Sequence, residues 1–251
     1  MGESELKIYV INLARSKTRR RFIEKQQSLT GHVEFVEAAD KLKRDPEQLR
    51  LLLTDELRAC PEFMTPGAIC CALSHIKARR AFSESGAASA LIIEDDAKFI
   101  SQRPALIALQ SFFEASDYDI LLFNSYSNKR IILTSKQDAA GFALCDVEVL
   151  PGSALAYLIK AEAARRMNDL NQKEVIAAAD WWGTYVRAGL KIGIIKPDLF
   201  EPAFFPSDLG YVRAGSAAAA LKMIVPDWLR AMRARRRYKK MLRNLVLANT
   251  N

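Results

Sequence analysis

The chain has 251 residues, of which 50% are hydrophobic and 26% charged; this balance indicates a folded protein with a sizeable core and excludes disordered and fibrous classes. The net charge of +8 comes from the segment Trp228 to Asn251, which has eight basic residues and no acidic one. Removing those eight from the 37 basic residues leaves 29, equal to the 29 acidic residues, so Met1 to Asp227 is formally neutral. A nucleic-acid surface across the body is therefore not expected.

Strand and helix patterns alternate through the first half of the chain. Residues 7–13 are apolar and β-branched and predict a strand, and the basic run 15–25 suits an exposed helix. A second strand is predicted at 33–38. A helix follows at 45–58, where Asp45 precedes a proline and leucines recur at helical spacing.

The remaining elements continue this pattern. Thr65 and Pro66 open a long apolar helix over 68–85, and Gly86 ends it. Strands alternating with helices indicate an α/β fold with parallel strands in its sheet. Further strands are predicted at 90–93, 119–123, 131–134, 144–150, 154–159 and 191–195, and further helices at 161–170 and 180–188, the last capped by Asp180.

The cysteines and the amino terminus bear on metal binding and location. Cys60, Cys70, Cys71 and Cys145 include no Cys-x-x-Cys pair and no histidine at zinc-finger spacing, which argues against a zinc site. The amino terminus is acidic where a signal peptide is basic, and 18 apolar residues never run uninterrupted. We expect a protein of the reducing cytoplasm.

Three acidic residues, Glu94, Asp95 and Asp96, directly follow a predicted buried strand. Ligands of open α/β sheets collect at the carboxyl ends of strands. Strand alternation places Glu94 and Asp96 on one side and Asp95 on the other, and a hard divalent cation bound to a diphosphate would relieve their repulsion. The alternative is a solvated acidic turn. The chain has no P-loop and no Gly-x-Gly-x-x-Gly motif, so a nucleotide bound here would be held by metal and arginines.

Three sequence blocks carry a family resemblance. They are IYVINL at 8–13 followed by Arg15, Arg19 and Arg20, then Pro66-Gly67 leading to CALSH at 71–75, and IIEDD at 92–96. In order and spacing these blocks resemble glycosyltransferase family 25, which includes bacterial lipooligosaccharide galactosyl- and glucosyltransferases and the collagen galactosyltransferases. The bacterial branch is the more similar, over roughly residues 7–209. Ala156 replaces a glycine of the family pattern, and residues 202–209 lack the family's glutamine before a serine-rich loop.

The resemblance implies a GT-A type fold, a Rossmann-like nucleotide-sugar domain with a mixed central sheet, over residues 1–227. It implies inverting transfer of a hexose from a UDP-sugar to a lipopolysaccharide-core acceptor, and galactose is the hexose expected. It also implies a Mn²⁺ or Mg²⁺ ion bound by Asp95 and Asp96. The donor-binding candidates are Asn12, Arg15, Arg19, Asp40, Ser74, His75, Glu94 and Asp95. The alternative for Arg15 and Arg19 is a solvated helix face, and for His75 a hydrogen-bonded core position.

Inversion requires a base for the acceptor hydroxyl, and Asp180 is the candidate. Its alternative role is a helix N-cap. The adjacent Trp181 and Trp182 are candidates for stacking on the acceptor sugar. Because neighbouring indoles on a helix point to different faces, we expect one at the site and one in the core.

The tail predicts a basic amphipathic helix over 228–251, since Ala234, Tyr238, Met241 and Leu245 form an apolar stripe beside arginines. Such a helix suits the anionic inner face of the cytoplasmic membrane, where a lipid-anchored acceptor would be reached. RNA, an acidic partner or packing on the body are alternatives. The alternative for the whole chain is a catalytically silent nucleotide- or membrane-binding module on the same fold.

Overall fold

The computed structural model describes residues 6–26, 29, 33–59, 61, 63–101, 103–123, 137–139, 141–147, 149–203 and 205, with the side chains of 103–105 and 137–139 excepted. Two predictions lie outside the described residues. They are the strand at 131–134 and the tail helix at 228–251.

Among the described residues, eight strands form one mixed sheet in the order β2-β1-β3-β8-β5-β9-β7-β6. β1 runs parallel to β2 and β3, and β5 runs parallel to β9, whereas β8 and β7 run antiparallel to their neighbours. A further pair, β4 and β10, is antiparallel. The strands are β1 (Lys7–Asn12), β2 (Val33–Glu37), β3 (Ser89–Glu94), β4 (Ala97–Phe99), β5 (Ile120–Leu122), β6 (Gln137–Ala139), β7 (Phe142–Cys145), β8 (Ala156–Lys160), β9 (Ile192–Lys196) and β10 (Phe200–Pro202).

Helices cover both faces of this sheet. The helices are α1 (Lys17–Glu24), α2 (Pro46–Leu51), α3 (Asp55–Arg58), α4 (Pro66–Glu84), α5 (Arg103–Ala115), α6 (Ala161–Leu170) and α7 (Trp182–Arg187). Residues of α1 and α5 pack in one core cluster, and residues of α4, α6 and α7 in another. A third cluster holds α2 and α3 against α4.

Both faces are apolar because the central strands alternate between the two clusters. Ile8 and Val10 of β1 belong to the first cluster, whereas Tyr9 and Ile11 belong to the second. A strand buried on both faces has a continuous apolar sequence. The strand β1 was predicted from such a sequence. The predicted α/β class with a mixed central sheet is confirmed.

The long helix α4 is also confirmed, together with its boundaries. The Thr65 hydroxyl accepts a hydrogen bond from the backbone N–H of Ala68 at 3.3 Å, and Pro66 occupies the first turn. Gly86, at φ +73°, ends the helix in a conformation that a residue with a Cβ rarely adopts.

Three boundaries differ from the prediction. The single helix predicted at 45–58 is two helices, because Leu53 between them forms a parallel bridge with Val175. The strand predicted at 144–150 ends at Cys145. The helix predicted at 180–188 begins at Trp182, and its N-cap residue is Trp181, with no side-chain capping bond. The prediction that Asp180 caps this helix is wrong.

The parallel strands place their carboxyl ends along one edge of the sheet, which we call the carboxyl edge. Asn12 ends β1 and Glu94 ends β3, while β8 enters the sheet from this edge just after Gly152. None of the helices in the described part of the chain is long and apolar enough to span a membrane.

Candidate active site

The turn after β3 places Asp95 against the first strand and helix. The Asp95 Oδ1 atom lies 2.7 Å from Arg19 Nη1, and its Oδ2 accepts a hydrogen bond from Asn12 Nδ2 at 2.8 Å. Burial raises the pKa of Asp95 more than the charge and hydrogen bonds of Arg19 and Asn12 lower it. These three predicted donor-site residues are therefore brought together, chiefly by contacts with one another.

Asp96 lies on the same side as Asp95, not with Glu94. Its Oδ2 is 3.7 Å from Arg19 Nη1, and the side chain is buried. The predicted alternation failed here because β3 ends at Glu94, and residues 95 and 96 form a turn to β4. Arg19 thus supplies positive charge to both aspartates.

This arrangement bears on the predicted Mn²⁺ or Mg²⁺ site. Hard cations are bound by carboxylate oxygens. Each oxygen of Asp95 already accepts one hydrogen bond, from Asn12 or from Arg19. Because an ionised carboxylate can accept about four, these contacts do not exclude a cation, and the site at Asp95 and Asp96 stays a prediction.

Arg15 and Asp40 form a second group at the carboxyl edge. The Arg15 Nε donates to Asp40 Oδ2 at 2.8 Å, and Asp40 Oδ1 accepts from the backbone N–H of Leu42. These bonds outweigh the effect of burial, so that the pKa of Asp40 lies below its ordinary value. The Arg15 side chain is 37% exposed, against 13% for Arg19, so that a ligand can reach Arg15 more readily.

Glu94 turns toward helix α4, where it meets His75 and Cys71. The Glu94 Oε1 atom lies 3.3 Å from His75 Nε2 and 3.8 Å from Cys71 Sγ. Burial opposes ionisation of Glu94, but the hydrogen bond and charge of His75 and the charge of Arg19 lower its pKa below the ordinary value. The three ligand atoms all lie within 4.8 Å of one another, an arrangement in which a metal ion can be held.

His75 is anchored on its other side by a buried polar chain. Its Nδ1 lies 3.1 Å from the Tyr157 hydroxyl, which also accepts a hydrogen bond from Arg79. One assignment of protons satisfies every member: Arg79 donates to Tyr157, Tyr157 donates to Nδ1 of His75, and Nε2–H of His75 donates to Glu94. Burial raises the pKa of Tyr157 to about 12, so the phenol keeps its proton.

His75 and Ser74, two predicted donor-binding residues, are buried. Only 1% of His75 is exposed, and its Nε2 contacts Glu94, whose side chain is 31% exposed. The Ser74 hydroxyl is buried, accepts from the Ala39 N–H at 2.9 Å and donates to the Cys70 carbonyl at 2.7 Å. Ser74 thus fixes the loop before Asp40 on α4.

Asp180 lies at the same edge, beside Gly152. A Cβ added at Gly152 would stand 3.5 Å from Asp180 Oδ2, so that this carboxylate lies over the start of the segment leading into β8. Burial raises the pKa of Asp180, and the charge of Glu94 raises it further. The charge of Asp180 also raises the pKa of the Cys71 thiol. Asp180 therefore lies close enough to the cluster of Cys71, His75 and Glu94 to interact with it electrostatically.

The two tryptophans divide as expected between core and edge. Only 1% of Trp182 is exposed, its Nε1–H donates to the Ser153 carbonyl at 2.9 Å, and its ring meets Tyr157 edge to face. Trp182 is thus the indole of the pair that lies in the core. Trp181 is half-buried against Phe63 and is the indole beside Asp180 that keeps exposed surface.

The predicted site residues thus fall into neighbouring groups at one edge. Sequence reasoning missed Tyr157 and Arg79, because an apolar strand and a basic helix position carry no local signal of a shared hydrogen bond. Cys71 was named among the cysteines and within a matched block, but not as a site residue. Its spacing of four residues from His75, which puts both on one helix face, is a signal that could have identified the pair.

In an open α/β sheet, ligands bind at the carboxyl ends of the strands, and here that edge carries acidic residues and arginines. The model of glycosyltransferase family 25, described as an LPS biosynthesis protein, matches residues 5–182. The chain belongs to glycosyltransferase family 25. No curated protein matches the chain significantly.

Proposed function

We propose that the chain is an inverting glycosyltransferase that moves a hexose from a UDP-sugar to a core sugar of lipopolysaccharide. Galactose is the hexose that we expect. The family membership supports transfer of a sugar in LPS biosynthesis. The observation that carries the mechanism is the position of Asp180, half-buried at the carboxyl edge and beside Gly152.

In the proposed reaction, the Asp180 carboxylate takes the proton of the acceptor hydroxyl. The acceptor oxygen attacks the anomeric carbon while the bond from that carbon to the UDP oxygen breaks on the opposite face, which inverts the configuration. The exposed guanidinium of Arg15 is positioned to meet the diphosphate, and its planar fork suits phosphate oxygens. Trp181 offers its exposed surface to the acceptor sugar.

Replacing Asp180 by asparagine tests this assignment. Loss of the base is expected to lower kcat by about 10²–10⁴-fold while the KM for the donor changes little. The matched control is Asp169→Asn, which removes an exposed carboxylate at the end of α6 and is expected to leave turnover unchanged.

The measurement is UDP release from a panel of UDP-hexoses, with and without delipidated core oligosaccharide. Turnover of Asp180→Asn within threefold of the parent chain would contradict the role of Asp180. The absence of both UDP release and nucleotide binding would favour a silent binding module on the same fold.

Parallel reactions with Mn²⁺, Mg²⁺ and a chelator test the metal requirement that the family resemblance implies. Loss of turnover without a metal would show that the donor brings its metal ion to this edge despite the contacts of Asp95 with Arg19 and Asn12. Equal rates with chelator would show that the chain's own basic side chains suffice for transfer.

We also propose that residues 228–251 attach the enzyme to an anionic membrane surface at the inner face of the cytoplasmic membrane. The support is their charge of +8 without any acidic residue, next to a body that is formally neutral.

A further inference from the structure

We propose that Cys71, His75 and Glu94 form a binding site for a thiophilic divalent cation of the Zn²⁺ type. This site goes beyond the proposed transfer reaction and does not depend on it. Its ligands also differ from the two aspartates at which a hard cation was predicted.

Helix geometry brings two of the ligands together. Cys71 and His75 are four residues apart on α4, and residues at this spacing lie one above the other on the same face of a helix. That face lies over the end of β3, where Glu94 supplies the third ligand atom. The site is thus built on a 19-residue helix and a central strand, both of which are rigid elements.

Two of the three separations between the ligand atoms are near those of a tetrahedral zinc site, and the third, from Cys71 to His75, is within 4.8 Å. Zinc bonds of about 2.3 Å to sulfur and about 2.0–2.2 Å to nitrogen or oxygen give ligand separations of about 3.3–3.6 Å. The observed separations from Glu94 Oε1 are 3.3 Å to His75 Nε2 and 3.8 Å to Cys71 Sγ. Small side-chain movements therefore suffice to close the site around one ion.

The chemistry of the donors selects the ion. A thiolate with an imidazole and one carboxylate suits Zn²⁺, whereas Mg²⁺ and Mn²⁺ favour oxygen ligands. The Glu94 side chain is 31% exposed and Cys71 is half-buried, so that solvent can reach the ligand atoms and supply a fourth ligand. Three protein ligands with one open position are typical of a zinc ion that exchanges a water or substrate ligand.

The surroundings of His75 are those of a metal-binding imidazole. Its Nδ1 is fixed by the Tyr157 hydroxyl, which is itself held by Arg79, so the ring cannot turn away from Glu94. With an ion on Nε2, the imidazole would carry its proton on Nδ1, and the Tyr157 hydroxyl would turn its own hydrogen away so that its oxygen accepts from Nδ1–H. The Cys71 thiol gives up its proton to solvent, so that binding releases one proton at neutral pH.

The other thiols of the described residues do not offer such a site. Cys70 packs in the cluster between α2, α3 and α4, and Cys145 is the last residue of β7, where it is buried in the core. The sequence argument against zinc rested on the absence of a Cys-x-x-Cys pair and of a histidine at zinc-finger spacing. It did not consider a single cysteine with a histidine on a helix and a glutamate from a distant strand.

Cobalt titration of the full-length chain tests the site without reference to activity. Co²⁺ bound by a thiolate gives a charge-transfer band in the near ultraviolet, and tetrahedral coordination gives intense visible bands. We expect both signals to saturate at one Co²⁺ per chain and to disappear when one equivalent of Zn²⁺ is added.

Single substitutions identify the ligands. Cys71→Ser is expected to abolish the charge-transfer band, and His75→Gln and Glu94→Gln to weaken Co²⁺ binding by more than about tenfold each. The matched controls Cys60→Ser, Cys70→Ser and Cys145→Ser are expected to keep the band. Tyr157→Phe, which removes only the support of His75, is expected to keep the band at an affinity about tenfold lower.

Several outcomes would overturn the proposal. One is the absence of any charge-transfer band at stoichiometric Co²⁺, and another is a band that survives Cys71→Ser. A third is loss of the band in a control variant that unfolds at the same urea concentration as the parent chain. Circular dichroism and urea unfolding of each variant separate loss of a ligand from loss of the fold. Because no sugar nucleotide is present, a failure here leaves the proposed transferase reaction untouched.

Discussion

At the scale of single residues, the acidic turn after β3 receives positive charge from within the chain. Asp95 and Asp96 are buried, and Arg19 reaches both from α1. Removing one partner of a buried ion pair leaves an uncompensated charge, at a cost of about 3–5 kcal/mol. Arg19 therefore stabilises the turn that sets the position of Glu94, whatever cation a donor brings with it.

The proposed role of Asp180 as the base predicts the pH dependence of transfer. Burial and the charge of Glu94 raise the pKa of Asp180 above its ordinary value of 3.8. A general base acts only when ionised, so kcat/KM is expected to be full above this raised pKa and to fall as the pH drops through it. The measurement is the pH profile of kcat/KM for UDP release.

A variant sharpens this prediction. Glu94→Gln removes one of the charges that raise the pKa of Asp180, so its acid limb is expected at lower pH than that of the parent chain. An acid limb that stays in place in Glu94→Gln, or that persists at the same pH in Asp180→Asn, would argue against Asp180 as the titrating base.

The sequence identified the acidic residues at the strand end but not the partners that decide their roles. Arg19 lies 76 residues before Asp95, and a basic run on a helix does not show which of its members turns inward. The role of His75 was left open between core and site, and it proves to be a core residue attached to the site through Glu94. Such pairings depend on tertiary packing, which local pattern does not encode.

At the scale of elements, prediction succeeded where a segment's own pattern decides its structure. The apolar runs of β1 and β3 and the capped helix α4 are of this kind. The helix predicted at 45–58 is interrupted because Val175 accepts from the Thr54 N–H and donates to the Leu52 carbonyl. Leucines at helical spacing cannot reveal a backbone partner from a distant loop.

Strand β9 contains a position that admits only glycine. A Cβ at Gly193 would lie 2.5 Å from Tyr118 Cε1 and 3.0 Å from the Cys145 carbonyl oxygen. Gly193→Ala must therefore displace the Tyr118 ring or separate β9 from β7. We expect the free energy of unfolding in urea to fall by about 1–3 kcal/mol.

Gly183→Ala is the matched control for this prediction. Its Cβ would meet only the end of the Arg187 side chain at 3.5 Å, and it lies in α7, where alanine is favoured over glycine. We expect its stability to be unchanged or slightly higher. A loss below 0.5 kcal/mol in Gly193→Ala would show that Tyr118 moves aside without cost.

At the scale of the whole molecule, charge is partitioned between a neutral body and a basic tail. Arg235, Arg236 and Arg237 in the tail are expected to contribute about 1 kcal/mol each to binding of an anionic bilayer at low salt. Changing all three to glutamine should lower affinity for vesicles containing phosphatidylglycerol by about a hundredfold, measured by co-sedimentation.

Three exposed basic residues of the α1 region, Lys17, Arg21 and Lys25, provide a control with the same change in net charge. Their replacement by glutamine is expected to leave vesicle binding within threefold. Equal losses in the two triple variants would indicate attraction to net charge and not to the tail. Binding that resists 0.5 M salt would also contradict an electrostatic surface interaction.

The strand order has a consequence for synthesis of the chain on the ribosome. β8 lies between β3 and β5, and β9 lies between β5 and β7, so two interior positions are filled by late segments of the chain. A nascent chain that stops before residue 156 exposes unpaired edges of β3 and β5, which are sites for aggregation.

The family match ends at residue 182, before β9. An expression fragment cut at that boundary would lack an interior strand, so the smallest independently folding piece must extend at least to β9.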